Sequence, residues 1–418
     1  MTADVDVRDR PAQAVRRARA AVAVLFFTNG ALFANLLPRY PQIKADLGLA
    51  NAQYGLAVAA FPVGAVVAGL AAGALIRRFG SARVAVLGTL LTGAGVLAAG
   101  SADTAVLFAG GLFLAGAMDA IVDVGQNAQG LQVQRRYGRS IINSLHAVWS
   151  IGAVTGGAMA AGAMAVGLSR TAHLTASAVL LGLAACVALP YCLPGAGGTP
   201  GADGAPEQGC GEGELAASGG GEGGREVRPR PAGRLPTWCV LAAFVLIATA
   251  GTLVEDAGNS WAAVYLADAL GASATLAAAG FIALVGAQFV GRILGDRLVD
   301  RFGQRAVVRA GGLLAAAGMG LALAVPTVWG TVLGFAAAGF GVATTVPAAL
   351  HEADELPGLR PGTGLTVVSW LMRLGFLVSP PAVGAVADAT SLRAGLLVVP
   401  LAGLLALGLA GVLRPRQP

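Results

Sequence analysis

The stretch RFGSARVAVLGTLLTGAG, Arg78 to Gly95, returns 223 positions later as RFGQRAVVRAGGLLAAAG, Arg301 to Gly318. Arg78, Phe79 and Gly80 meet Arg301, Phe302 and Gly303, and Gly88, Leu90, Leu91 and Gly95 meet Gly311, Leu313, Leu314 and Gly318. The register continues outside these stretches. Leu47 and Gly48 meet Leu270 and Gly271, while Gly111, Gly116 and Gly152 meet Gly334, Gly339 and Gly375. A glycine-rich chain produces coincidences, but not one ungapped register across several apolar segments, so the chain reads as two copies of one unit.

The repeated unit is membrane-spanning sequence. Hydrophobic residues make up 56% of the chain and charged residues 12%, a balance foreign to soluble domains. A helix needs about 20 mostly apolar residues to cross the hydrocarbon core. Twelve such stretches are expected, at 18–38, 52–76, 83–101, 104–131, 141–167, 171–193, 237–263, 272–297, 306–325, 328–350, 362–387 and 392–413. Their continuous apolar character excludes a β-barrel, whose strands alternate polar and apolar residues. The fold class is therefore all-α integral membrane, with six spans per half. The expected division is a tail at 1–17, a first bundle at 18–193, a linker at 194–236, a second bundle at 237–413 and a tail at 414–418. The linker is rich in Gly, Pro and charge and has no apolar face to bury, as in a disordered segment.

The excess of base over acid lies where a membrane would place it, and nothing in it points to nucleic acid. With the N-terminus in the cytoplasm, the inside segments hold Arg8, Arg10, Arg16, Arg17, Arg19, Arg77, Arg78, Arg83, Arg135, Arg136 and Arg139. The linker adds Arg225, Arg228, Arg230 and Arg234, and the second half adds Arg292, Arg297, Arg301, Arg305, Arg309, Arg360, Arg414 and Arg416. Outside segments hold only Arg39, Arg170, Arg393 and the single lysine, Lys44. This asymmetry follows the positive-inside rule and puts both termini in the cytoplasm. The first apolar stretch runs on into NLLPRYPQIK without a small-residue cleavage site, so it reads as an uncleaved span. Cys186, Cys192, Cys210 and Cys239 have no metal-ligand spacing.

Two parallel repeats of six spans resemble the architecture of the major facilitator superfamily, which holds substrate between its halves near the midplane. The loops GALIRRFGSAR and GDRLVDRFGQR, with Arg77, Arg78 and Gly80 in the first and Asp300, Arg301 and Gly303 in the second, look like the superfamily's gating-loop signature. The first copy has Arg77 where an aspartate is usual. Five further strings resemble a bacterial subgroup that includes rhizopine-associated membrane proteins and fucose permeases: FFTNGALFANLLPRYPQIK, DVGQNAQG, SLHAVWSIGA, VEDAGNSWAAVYL and RLGFLVSPPAVG. This subgroup usually has an aspartate before the span 7 tryptophan; this chain has Ser260 before Trp261. The resemblance implies a monomer in the bacterial cytoplasmic membrane, with spans 1, 4, 7 and 10 lining the cavity.

Charge inside a bilayer is costly, so ionisable residues there face a cavity or a partner. Asp119, Asp123 and Asn127 share one face of span 4 and climb it at about 6 Å per step. Paired carboxylates in low dielectric can exchange a proton near neutral pH, as a proton-coupled carrier requires. The structural alternative has Asp123 and Asn127 bracing the inward gate against Arg135, Arg136 or the first-half loop. Glu255 in span 7 is the third candidate carboxylate; Asp256 lies about 100° around the helix and faces elsewhere. Arg373 is about twelve residues into span 11, where it either pairs with Asp119 or Glu255 or binds an anionic or hydroxyl-rich substrate through its planar fork. Asn29, Asn35, His146, Trp149, Asn259 and Trp261 are further candidates for binding a polar ligand.

The pattern G-x-x-x-x-G-K-[ST] is missing, as are zinc spacings and a nucleophile elbow, so ATP hydrolysis, enzymatic activity and a cofactor are not expected. The expected function is secondary active, proton-coupled transport of a small polar organic solute across the lipid bilayer. Efflux of a drug or secondary metabolite is the alternative, with GAVTGG in span 5 lacking the usual antiporter proline. A receptor that binds ligand without moving it is the third reading.

Overall fold

The computed structural model describes residues 6–138, 141–194, 236–360 and 362–414. These residues form helices and short connections, and twelve helices are long and apolar enough to cross a membrane. Spans 1 to 6 are Gln13–Asp46, Asn51–Phe79, Ser81–Gly100, Ala105–Tyr137, Ile142–Ala165 and Arg170–Tyr191. Spans 7 to 12 are Thr237–Ala269, Ala274–Phe302, Gln304–Ala324, Val328–Asp354, Thr363–Ala389 and Leu392–Val412. Helices satisfy every backbone polar group internally, which lipid demands. Leu90, Leu183, Leu321 and Leu401 are exposed on spans 3, 6, 9 and 12, as a lipid-facing wall requires.

The two boundaries of span 1 move furthest from expectation. The first helix begins at Asp6, inside the expected tail, and span 1 continues past residue 38 as a short 3-10 turn and a second helix ending at Asp46. Pro38 and Pro41 do not stop it because each sits in the first turn of a new helical piece, where its missing N–H is not needed. Of the expected linker, 195–235 lie outside the described residues, as do 1–5 and 415–418.

The 223-residue repeat is built into the geometry. Gly80 and Gly303 end spans 2 and 8 at φ of 83° and 81°, and their N–H groups reach back to Ile76 and Val299. Only glycine takes this conformation without strain. The guanidinium of Arg78 lies 5.3 Å over the ring of Phe79, and that of Arg301 lies 5.4 Å over Phe302. Thr104 and Thr327 cap spans 4 and 10, accepting from Leu107 and Gly330. The repeated glycines also make equivalent close approaches. A Cβ on Gly116 would stand 2.0 Å from the Phe61 carbonyl oxygen, and one on Gly339 would stand 2.1 Å from that of Leu284, 223 positions on.

Several spans are broken at depth. Span 2 changes helix at Ala59, span 10 between Val342 and Thr345, and span 11 at Met372. Pro62 and Pro347 account for the first two, because neither can donate to the carbonyl four residues back. At the third, the Met372 carbonyl accepts from Thr252 of span 7 at 3.0 Å.

The halves meet at the end of the bundle away from the junction of spans 6 and 7, termed here the far end. There Lys44 pairs with Asp268 at 2.9 Å, Asp388 receives the backbone of span 2, and the Tyr54 hydroxyl donates to the Ser260 carbonyl at 2.7 Å. Backbone contact seals the seam. A Cβ on Gly55 would stand 2.3 Å from the Pro380 carbonyl oxygen, and one on Gly384 the same distance from that of Asn51. Packing of span 2 on span 11 and of span 5 on span 8 carries most of the interface.

Candidate functional site

Asp119 sits fourteen residues into span 4, about 21 Å along the helix and so near mid-depth. Its Oδ1 accepts from Asn29 Nδ2 at 2.8 Å, and Asn29 Oδ1 accepts from Trp149 Nε1 at 2.6 Å. Spans 4, 1 and 5 are thus joined through one buried asparagine whose amide is fixed at both ends. The close approach depends on Gly30, where a Cβ would stand 2.2 Å from the Trp149 carbonyl oxygen. His146 lies a turn away, its ring 5.2 Å edge-on from Phe26. Its Nδ1 points at the Ile142 carbonyl at 3.2 Å. A carbonyl only accepts, so Nδ1 carries the proton.

Asp123 and Asn127 form a second, local group. Asn127 Nδ2 donates to both the carbonyl and the carboxylate of Asp123, at 2.9 and 3.0 Å. Its amide is therefore engaged within span 4. Asn35, expected to bind substrate, turns away from the middle of the molecule. It is fully buried, and its Oδ1 accepts from His173 at 2.8 Å and Ser177 at 3.1 Å, bracing span 1 against span 6.

In the second half, Glu255 Oε2 accepts from Gln288 at 2.9 Å and lies 3.8 Å from Arg292, both on span 8. Charge alone groups Arg292 with the cytoplasmic arginines. It stands eighteen residues into span 8, with its side chain 27% exposed, as an intramembrane partner for a carboxylate. The ion pairs expected for Arg373 are also different: Asp119 is held by Asn29, and Glu255 by span 8. Among the described residues Arg373 has neither a hydrogen bond nor an ion pair. It lies two helical turns before Pro380, on the same face of span 11, and that face packs on span 2 at the far end. Arg373 therefore lies on the side of the second half that faces the first, at the helix break and below the seam.

Trp261 is fully buried in the seam, its ring 4.9 Å from that of Tyr54. Asn259 Oδ1 is buried without a hydrogen-bond partner. Sequence reasoning missed Asp388 and Arg292. An acid near a helix end and an arginine beside GDR resemble ordinary surface charge until their partners are known. No group of three His, Cys, Asp or Glu residues suited to a metal occurs among the described residues.

The sequence profile of the Major Facilitator Superfamily matches residues 22–297 and 245–418. The chain belongs to the Major Facilitator Superfamily. As a member of this superfamily it is a multi-pass membrane transporter, not an enzyme. It is 28% identical to the membrane protein MosC of Rhizobium meliloti over 92% of this chain and 87% of that one. It is 29% identical to the transporter y4wD of Sinorhizobium fredii over 94% and 97%. Among solved structures, the nucleoside transporter NupG superposes with a TM-score of 0.65 at 12% identity, covering 94% of this chain and 98% of that one. A D-xylose-proton symporter gives 0.64 at 16%, covering 94% and 96%. At these identities the superfamily fold is what the two structures share with this chain.

Proposed function

We propose that this superfamily member is a proton-coupled carrier that moves a small polar organic solute by alternating access. The observation that carries the reading is the Asp119–Asn29–Trp149 bridge of the first half, at the same depth as an Arg373 that has no partner in the second. A carboxylate, an amide and an indole on one wall and a free guanidinium on the other suit a solute with several hydrogen-bonding groups. The broken helices of spans 10 and 11 fit this reading, because transporters of this kind build sites at discontinuous helices. Similarity to proteins named as nucleoside and xylose carriers also supports it.

In this reading each six-span bundle, 18–193 and 237–413, moves as a unit about the site. The linker and both termini face the cytoplasm of a bacterial inner membrane, following the arginine asymmetry. The closed far end is then the outer gate, and the glycine-turn loops with Arg77, Arg78, Asp300 and Arg301 belong to the inner one. The carrier works as a monomer.

The test is a thermal-stabilisation screen of purified protein with sugars, cyclitols, nucleosides, amines and antibiotics, with Arg373→Ala beside wild type. Hits are then followed as uptake and proton flux in proteoliposomes. Stabilisation by polar solutes that is lost in the variant, with uptake that alkalinises the outside medium, is the expected result. Stabilisation by antibiotics alone would move the reading to efflux, and binding without any flux would move it to a receptor.

A further inference from the structure

Glu255 and Asp256 are adjacent in sequence and have opposite surroundings. Glu255 has Gln288 and Arg292 beside it. Asp256 is 8% exposed; its Oδ1 takes only a 3.5 Å contact from Ser260 Oγ, and its Oδ2 is buried with no hydrogen-bond partner. Three more polar atoms around this point are also buried and unpartnered: Tyr40 OH from span 1, Trp261 Nε1 on span 7 and Ser379 Oγ from span 11. Tyr40 stacks edge-on against Tyr54 at 5.7 Å, Tyr54 against Trp261 at 4.9 Å, and the Tyr54 hydroxyl donates to the backbone carbonyl of Ser260, the residue whose side-chain hydroxyl contacts Asp256. Ser379 stands beside the carboxylate itself.

The charged groups on the surrounding elements leave Asp256 without a counter-ion. Arg39 of span 1 donates to Gln42 and the Leu168 carbonyl, Lys44 of span 1 is bound to Asp268, Arg292 of span 8 lies against Glu255, and Glu352 of span 10 is held by Arg414. Arg373 of span 11 is six residues, about 9 Å of helix, from Ser379. Glu255 itself adds a like charge. A buried carboxylate with no cation and only the hydroxyls of Ser260 and Ser379 beside it is poorly supported as an ion in a packed interior, whereas the neutral acid gains an O–H that can itself donate. Tyr54, with Tyr40 behind it, comes from the other half and packs on span 7 at Ser260 and Trp261, about one turn to the far side of Asp256, so parting the seam opens a path from far-side water toward it.

We propose that Asp256 is the proton-binding residue of the far-side gate, taking one proton from far-side water onto its carboxylate as the seam closes over it. Asp256 is a gating group, and it assigns the coupling proton of the function proposed above, on which it rests. Closure then gains up to about tenfold in the closed-to-open ratio for each unit fall in pH, the linkage of a single proton.

The experiment measures spin-label distances across the far end in nanodiscs, using Asp103→Cys and Pro326→Cys in a chain with its four native cysteines replaced. Wild type is expected to shift from open to closed as pH falls. Asp256→Asn, a neutral near-isostere, is expected to stay closed at every pH, and Asp256→Glu to keep the dependence. A wild-type equilibrium indifferent to pH, or the same pH dependence in Asp256→Asn, overturns the proposal. A shift produced by sodium in place of potassium at fixed pH, and abolished in Asp256→Asn, also overturns it by making the site a metal-cation site. If Asp256→Asn is too unstable to purify, Ser379→Ala must shift the wild-type pH dependence, and its failure to do so counts against the proposal. Solute-driven proton flux separates the two readings. Flux intact with a pH-indifferent gate defeats only the Asp256 assignment, while an Asp256-dependent gate without proton flux defeats only the coupled-carrier reading.

Discussion

Asp388 caps Asn51 across the two halves. Its Oδ1 accepts from the Asn51 backbone at 3.0 Å and side chain at 2.9 Å, and its Oδ2 accepts from the Ala52 backbone at 2.8 Å. A carboxylate from the end of span 11 thus occupies the amino end of span 2, where free N–H groups and the helix dipole favour negative charge. Because it joins span 11 to span 2, opening the far end has to break it. Asp388→Ala is expected to move the gating equilibrium toward the far-open state by roughly fivefold, the worth of a solvent-exposed cap. Alkylation of a cysteine placed at Ala52 reads this as a faster rate. An unchanged rate would show that the cap is incidental to gating.

Asn29→Ala removes the bridge between Asp119 and Trp149 while leaving both in place. Transport is expected to fall at least tenfold, with a modest fall in Tm, because two hydrogen bonds of roughly 1 kcal/mol each are lost from a partly exposed site. Asn29→Asp should be worse, since it replaces the donor amide with a second carboxylate against Asp119. Transport near wild type in both variants would remove this bridge from the site.

Glu255 and Arg292 lend themselves to a double-mutant cycle. Arg292→Gln is expected to lower stability by about 1 to 2 kcal/mol, discounted from the larger figure for a fully buried pair because both side chains keep some exposure. Adding Glu255→Gln should recover part of that loss. Strict additivity in the thermal melts would mean that the 3.8 Å approach contributes nothing.

The repeat makes a matched prediction about glycine. Gly116→Ala and Gly339→Ala should both depress Tm sharply, because each Cβ would collide with a carbonyl oxygen that belongs to helix backbone. Gly110→Ala has open space around it and should be neutral or stabilising by up to about 1 kcal/mol. A tolerated alanine at Gly116 but not at Gly339 would show that the equivalence of the halves does not extend to their packing.

The span count, the repeat and the candidacy of Asp119, Asn29 and Trp149 as polar residues within spans 4, 1 and 5 were legible in the chain, because each can be read from a single span's own residues. Partners were not. Asn35 looked as suited to a ligand as Asn29 did, since both lie on span 1. One turns to His173 on span 6 and the other to Asp119 on span 4. Arg292 resembled a loop arginine, and Asp388 a surface acid, for the same reason.

The sequence alone determined that this is a twelve-span membrane protein of two copied halves, because hydrophobic length and glycine spacing are local properties that each helix carries wherever it packs. Only the tertiary structure decided which end is closed, that Glu255 has a cation while Asp256 has none, and that Arg373 stands unpaired. Those outcomes depend on the rotation of one helix against another, where about 100° separates neighbouring residues and one position decides between a partner and an empty seam.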